Sequence, residues 1–410
     1  MRPPSSSAAS RAAALLLVFV LRGSGAVPAA VPPPAATAGP PAAASAAQTA
    51  VNAPETDVAL VHAIFRHGAR TPVDTYPNDP YINITFAPVG WGQLTNKGKM
   101  MQYQQGKFLR ERYDALLGPL YSPRVIEARS TDKDRTKMSA LLELAGLWPP
   151  QGDQRWNPSL NWQPIPVHSV PVPEDHLLLG YSPCPGYYEK RDAVLASDEV
   201  KSQLEALNAT ILYEVLTNIT GLQIANPDDL QSLYSTLTAE QQFGLTLPEW
   251  SLEYYPEKLE TITALSFEYN AYTKELQKIK GGPLLKKIVE DAKEKINGTL
   301  ERKFFMYAGH DSTIVNLLMS LGVWDTQVPG YGILTLVELH QEKENGNYGI
   351  KVFLRNSTEE DPYALEIPGC GHYCPFPKFE ELTMETITLN WDELCQINDP
   401  NYVPPSSSPI

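Results

Sequence analysis

Three stretches of this 410-residue chain end an apolar run in side chains able to handle an anion. The first, Val58 to Pro72, reads Val-Ala-Leu-Val-His-Ala-Ile-Phe-Arg-His-Gly-Ala-Arg-Thr-Pro. Its apolar opening predicts a buried strand, and Arg66, His67 and Arg70 follow at once. Gly68 allows a tight turn or close approach to a ligand, and Pro72 stops any regular continuation. In the second, a strand over Val125 to Ala128 delivers Arg129, with Ser130, Thr131 and Asp132 as caps for a helix. Met138, Leu141, Leu142 and Ala145 recur on that helix at core-facing spacing. In the third, Phe304 to Ala308 runs into Gly309, His310 and Asp311, and Ser312 to Leu321 reads as a helix. Strands that each deliver a polar group at their carboxyl ends predict convergence on one edge of an α/β sheet. Guanidinium forks suit phosphate or carboxylate, an imidazole can be ligand, acid or nucleophile, and a carboxyl group can pass a proton. Asp132 and Asp134 read as capping or arginine-orienting residues rather than metal ligands, and no carboxylate–histidine cluster has metal spacing.

The elements that must hold these groups in place follow from composition and periodicity. An apolar content of 43% with 20% charged residues describes a globular protein, large enough for two subdomains. A net charge of −14 argues against nucleic acid and anionic membrane surfaces, so the arginines must be concentrated locally. Thr95 predicts an N-cap for a helix whose core face is Met101, Phe108, Leu109, Tyr113 and Leu116. The loop from Asp74 to Gly92 is expected to wall the site. Between residues 151 and 282 the pattern is Pro-rich, then helical, with Leu204, Leu207, Ile211, Val215 and Ile219 on one helix. A second helix carries Leu259, Ile262, Tyr269, Tyr272 and Leu276. These residues read as a helical cap inserted between core segments 56–150 and 283–398, with His168 and His176 structural. Leu284 to Ile296 returns to the core, and Ile333 to His340 and Tyr348 to Arg355 form a hairpin around Asn345-Gly346.

Residues 1–26, a basic residue followed by about ten apolar ones, have the layout of a secretory signal peptide. Residues 27–55, rich in Ala and Pro, read as a disordered leader, and 399–410 as a flexible tail. No second apolar run is long enough for a membrane anchor. Sequons at Asn83, Asn208, Asn218, Asn297 and Asn356 fit an exported glycoprotein. The four cysteines fit two disulfides in an oxidising compartment.

Arg-His-Gly-x-Arg-x-Pro from Arg66, Arg-Ser-Thr-Asp-x-Asp-Arg-Thr from Arg129, His310-Asp311, Trp-Gln-Pro-Ile-Pro-Val-His from Trp162 and Pro-Gly-Cys-x-x-x-Cys-Pro from Pro368 together resemble the histidine acid phosphatases, branch 2 of the histidine phosphatase superfamily. The resemblance covers roughly Asp57 to Cys395. It implies an α/β fold with a central mixed sheet flanked by helices and a mainly helical cap. It implies hydrolysis of phosphate monoesters through a phosphohistidine on His67, with Asp311 as general acid. Arg66, Arg70, Arg129 and His310 would bind the phosphate, without metal or cofactor. Cys370 and Cys374 are close enough to staple their own loop, which leaves Cys184 with Cys395, and that pairing matches the family's. The implied substrate is a small phosphomonoester or phosphopeptide. The implied location is extracellular or the lysosomal lumen, and members often form homodimers. The chain departs from mammalian members in lacking a third disulfide across the cap and in its leader, and it suits an invertebrate secreted or venom-type member. A phytase or inositol-polyphosphate phosphatase of the same fold is the enzymatic alternative. A catalytically dead secreted binding protein is the other.

Overall fold

The computed structural model describes residues 54–180, 184–387 and 390–405. The expected signal peptide, almost all of the leader and the last five residues of the tail lie outside them. The chain runs through β1 (Thr56–Arg66), α1 (Asn96–Leu117), β2 (Ile126–Ser130) and α2 (Asp134–Leu147). Seven helices follow without an intervening strand: α3 (Pro185–Leu195), α4 (Asp198–Ala206), α5 (Ala209–Thr220), α6 (Pro227–Phe243), α7 (Ser251–Tyr254), α8 (Glu257–Tyr269) and α9 (Lys274–Lys280). Then come α10 (Gly282–Ile296), β3 (Phe304–Gly309), α11 (Asp311–Leu321), β4 (Leu334–Glu342), β5 (Tyr348–Arg355), β6 (Tyr363–Leu365), β7 (Cys374–Pro375), α12 (Phe376–Thr383) and α13 (Trp391–Leu394).

The strands make one mixed sheet in the order β2-β3-β1-β4-β5-β6, with β7 on β5. β1 and β2 both run parallel to β3, whereas β4 is antiparallel to β1. Alternation along β1 sends Leu60 and Ile64 to one face with Phe305, Tyr307 and the apolar sides of α10 and α11. Val61, Ala63 and Phe65 go to the other, with Ala128, Met306 and α1 and α2. Burial of each large apolar side chain here contributes about 1.5–3 kcal/mol. His62 is buried among them because Asp291 accepts from its Nε2 at 3.0 Å.

Several helical expectations need correction. Thr95 caps α1 as expected, accepting from the Gly98 amide at 3.0 Å. The cap of α2, however, is Lys133, whose side chain makes no capping bond, and Ser130, Thr131 and Asp132 precede it. The buried face of α2 is also not the Met138–Leu141–Leu142–Ala145 stripe. It is Thr136, Ser139, Ala140, Glu143, Leu144 and Leu147, and Leu141 is 41% exposed. The reason is close packing on α1: a Cβ at Gly106 would stand 2.0 Å from the Glu143 carbonyl oxygen. The two long helices expected in the insertion are each broken. Asn208, at φ 53°, separates α4 from α5, and residues 270–273 separate α8 from α9. Cys184–Cys395 and Cys370–Cys374 are both disulfides.

The loop from Asp74 to Gly92 packs on the helical insertion rather than walling the site. The Asn78 amide donates to the Thr220 carbonyl at 2.9 Å, and Phe86 packs edge-on to Phe243. Inside this contact Asp79 and Glu240 are both buried. Asp79 accepts from the Tyr81 amide at 2.6 Å and from the Thr75 hydroxyl, whereas neither Glu240 oxygen has a donor among the described residues. Burial, with Asp79 beside it, pushes the Glu240 carboxyl up to about 8. Below that pH a protonated Glu240 shares its hydrogen with Asp79. A raised carboxyl favours the folded state fully below the ordinary carboxylate pKa, and that contribution fades as pH rises through about 8. Thermal unfolding should therefore fall more steeply between pH 5 and pH 9 in the wild type than in Glu240→Gln, the gap opening by roughly 3–6 °C. Parallel curves would exclude a shared proton.

Candidate active site

The site forms where β1 and β3 end side by side. Arg66 is in register with Gly309, and the His67 amide donates to the Gly309 carbonyl at 3.2 Å. Two segments some 240 residues apart in sequence thus place His67 next to His310, with ring centroids 5.7 Å apart. The turn after β1 is held by glycine contacts: a Cβ on Gly68 would lie 2.3 Å from the Gly98 carbonyl oxygen on α1. Only glycine fits there.

Arg66 is 7% exposed, with both Nη atoms engaged and its Nε buried without a partner among the described residues. One Nη meets Asp311 Oδ2 at 2.8 Å, the other donates to the Pro329 carbonyl at 2.5 Å, and the plane lies 4.4 Å over the Tyr331 ring. Arg70 donates to the Thr71 carbonyl at 3.0 Å and to Ser235 Oγ, on α6, at 2.8 Å. His67 is buried, and its Nδ1 sits 2.9 Å from the Gly68 carbonyl oxygen. A carbonyl can only accept, so Nδ1 carries the hydrogen and Nε2 keeps its lone pair. Burial, then the charges of Arg135 and Arg66, hold His67 well below the usual imidazole range. Burial and Arg135 likewise lower His310 to about 3. Both rings are thereby held toward the neutral form.

Asp311 opens α11, with its side chain 24% exposed, and it accepts from the Ser312 amide at 2.8 Å. Burial alone would raise its carboxyl. Arg66, His310 and the Ser312 amide outweigh that and hold it below the usual carboxylate range. A cavity of about 270 Å³ is lined by His67, Arg70, Arg135, His310 and Asp311, with Gln231, Ser232 and Ser235 of α6 opposite. It adjoins an apolar recess of about 130 Å³ between Tyr234, Phe267, Pro329 and Tyr331, with Arg66 and Asp311 at its mouth. A larger groove of about 610 Å³ lies along α4 and α5. It gathers none of these groups, and size alone does not mark the site.

Five of the six expected residues meet here: Arg66, His67, Arg70, His310 and Asp311. Arg129 does not. It lies within β2 rather than beyond its end, where strand alternation sends its side chain to the opposite sheet face from Ser130. There its Nη2 pairs with the buried Asp175 at 2.8 Å. Arg135, in the first turn of α2, occupies the cavity instead. Burial and the charges of Arg70 and Arg66 lower its guanidinium to about 10, and its Nε is buried without a partner. The signal for Arg135 was present in the Asp-x-Asp-Arg-Thr half of the second block. Gln231, Ser235, Tyr234 and Phe267 carried no motif.

The chain is similar to known proteins over most of its length. Residues 57–354 match the model of the histidine phosphatase superfamily (branch 2). The chain is 38% identical to bovine (Bos taurus) prostatic acid phosphatase over 348 residues, 84% of this chain and 89% of that one. It is 37% identical to human (Homo sapiens) lysosomal acid phosphatase over 342 residues, 82% of this chain and 80% of that one. Among solved structures, the Citrobacter braakii phytase superposes with a TM-score of 0.64 at 17% identity, covering 83% of this chain and 100% of that one. The mixed sheet, the site at its edge and the extent of these matches together make the chain a member of branch 2 of the histidine phosphatase superfamily.

Proposed function

We propose that this protein is an acid phosphatase that hydrolyses phosphate monoesters through a phosphohistidine on His67. The observation that carries the reading is a neutral, buried imidazole with its Nδ1 hydrogen on a carbonyl, beside three guanidiniums. Arg66, Arg70 and Arg135 neutralise the non-bridging oxygens, and His310 lines the cavity from the α11 side. His67 Nε2 attacks phosphorus in line, the P–O ester bond breaks, and Asp311 gives its proton to the leaving alkoxide. Asp311 then takes a proton from water, whose oxygen attacks phosphorus, releasing orthophosphate and free His67.

The acid requirement follows from the electrostatics of the free site. Arg66 and its neighbours keep Asp311 ionised. A phosphate dianion docked on Arg66 competes for that cation and adds negative charge beside Asp311, raising its proton affinity. The protonated acid is therefore available at low pH and is lost as pH rises, while His67 stays neutral throughout.

The lining favours a monoester over an inositol polyphosphate. Beyond the guanidiniums that take one phosphate, α6 presents Asp228, Gln231, Ser232 and Ser235, an anion and three neutral groups. The similarity to phytases is one of fold. An exported or lysosomal-lumen location fits the two disulfides. Among the described residues no helix is long and apolar enough to cross a membrane.

Hydrolysis of an aryl phosphate in EDTA should peak in acid and vanish in His67→Ala. Activity that survives in that variant overturns the phosphohistidine. Asp311→Asn should cut kcat by about 10²–10⁴ for an alkyl phosphate and far less for an aryl phosphate, whose leaving group needs no proton. Equal losses would remove Asp311 from that role. Arg135→Ala should lower kcat/KM by about 10²–10³ with little change in stability. Arg129→Gln should keep kcat/KM within a few-fold while costing about 3–5 kcal/mol, because Asp175 is left buried and unpaired. The opposite pattern would restore Arg129 as the ligand.

A further inference from the structure

His310 is backed by two threonine hydroxyls in series. Thr131 Oγ1 lies 3.0 Å from His310 Nε2 and 2.8 Å from Thr136 Oγ1, and all three residues are buried. Thr136 Oγ1 also stands 3.0 Å from the Thr131 carbonyl oxygen and 2.9 Å from that of Lys133. Each hydroxyl has one hydrogen, and carbonyls only accept. Turned toward Thr131, the Thr136 hydrogen would leave its lone pairs facing two carbonyl oxygens. It therefore goes to a carbonyl, and Thr136 accepts from Thr131. The Thr131 hydrogen is then used, so toward the ring Thr131 accepts as well. The hydrogen in that contact belongs to Nε2 of His310. At the start of α11 the His310 amide donates to Thr313 Oγ1 at 3.1 Å, which fixes the backbone that carries the ring.

We propose that Thr131, oriented by Thr136, is a positioning residue that fixes His310 as the Nε2–H tautomer and holds its ring beside the nucleophile. His67, held by the Gly68 carbonyl, is the opposite tautomer. Two neutral imidazoles with centroids 5.7 Å apart are thereby given different work: one offers a lone pair to phosphorus, and the other, its hydrogen held on Thr131, keeps its ring fixed beside it. The catalytic half of this inference rests on the proposed phosphatase reaction, and the tautomer half does not.

The test pairs a spectrum with kinetics. In ¹⁵N-histidine-labelled full-length protein, the two-bond ¹H–¹⁵N pattern of His310 should read as Nε2–H and that of His67 as Nδ1–H. Thr131→Val, which keeps the shape and removes the hydroxyl, should mix the His310 tautomers. It should lower kcat on an aryl phosphate about 10–100-fold with KM within a few-fold. Thr131→Ser should recover most of kcat and the single tautomer, a rescue that a purely packing role would not give. If Thr131→Val fails to fold, Thr136→Val carries the same expectation by freeing the Thr131 hydrogen to turn toward the ring. An Nδ1–H pattern for His310 in the wild type, or a Thr131→Val enzyme with unchanged kcat, overturns the proposal. An inert wild type whose His310 still reads Nε2–H upholds the tautomer and sinks the phosphatase reading, so the two failures are told apart.

Discussion

Three guanidiniums share one directly paired carboxylate in the cavity, and the behaviour of every other group there depends on that excess of positive charge. Arg66 is paired with Asp311, whereas Arg70 is tied only to a carbonyl and a serine. Arg66 and Arg135 each keep a buried Nε without a partner among the described residues. Burial together with this unbalanced charge disfavours the protonated form of both imidazoles, and Arg66 holds Asp311 toward its ionised form. A nucleophile that would be protonated in acid elsewhere is thus available there. A phosphate group relieves the imbalance, so binding and the return of a proton to Asp311 are one electrostatic event.

Holding that much charge needs a rigid frame, and the frame is made by close backbone approach. Gly68 meets Gly98, and Gly106 meets Glu143, at separations no side chain allows. Between these contacts the buried carboxyl of Glu143 accepts from Gln105 Nε2 at 2.8 Å, and burial pushes it well above the usual carboxylate range. Gln102 links the two layers. With its amide oriented to satisfy both neighbours, it donates to Glu143 at 2.9 Å and accepts from the Gly68 amide at 3.2 Å. A neutral acid under the signature turn adds no charge to compete with Asp311 for the guanidiniums. The polar buried face of α2, at odds with its apolar stripe, has this function.

What was legible in the sequence follows from how local the determining physics is. β1, β3 and α11 were readable because apolar runs end in charged or glycine residues, and pairing then brings those ends together. The misplacement of Arg129 came from treating a residue near a strand's end as lying beyond it. Ser130 is still in the strand, so alternation turns Arg129 away, and the helix cap is Lys133, beyond all three of the capping residues the sequence suggested. The Ser-Thr-Asp run that resembled a cap instead supplies Thr131 to His310. The recess and the α6 wall were not readable at all. They arise where an insertion folds back over the sheet edge, and no periodicity encodes which of its faces does so.

The acidic balance of the whole protein and the cationic cavity act at different ranges. At physiological ionic strength charges screen one another beyond about 8 Å, so the net −14 weakly opposes an approaching dianion and cannot reach into the cavity. Within it, in a lower effective dielectric, the guanidiniums dominate at contact distance. Acidification weakens the long-range opposition by protonating surface carboxylates. It leaves the guanidiniums charged and supplies the proton for Asp311. The two effects reinforce each other in one pH direction, which makes an acidic surface compatible with, and even suited to, an anion-binding enzyme that works in acid.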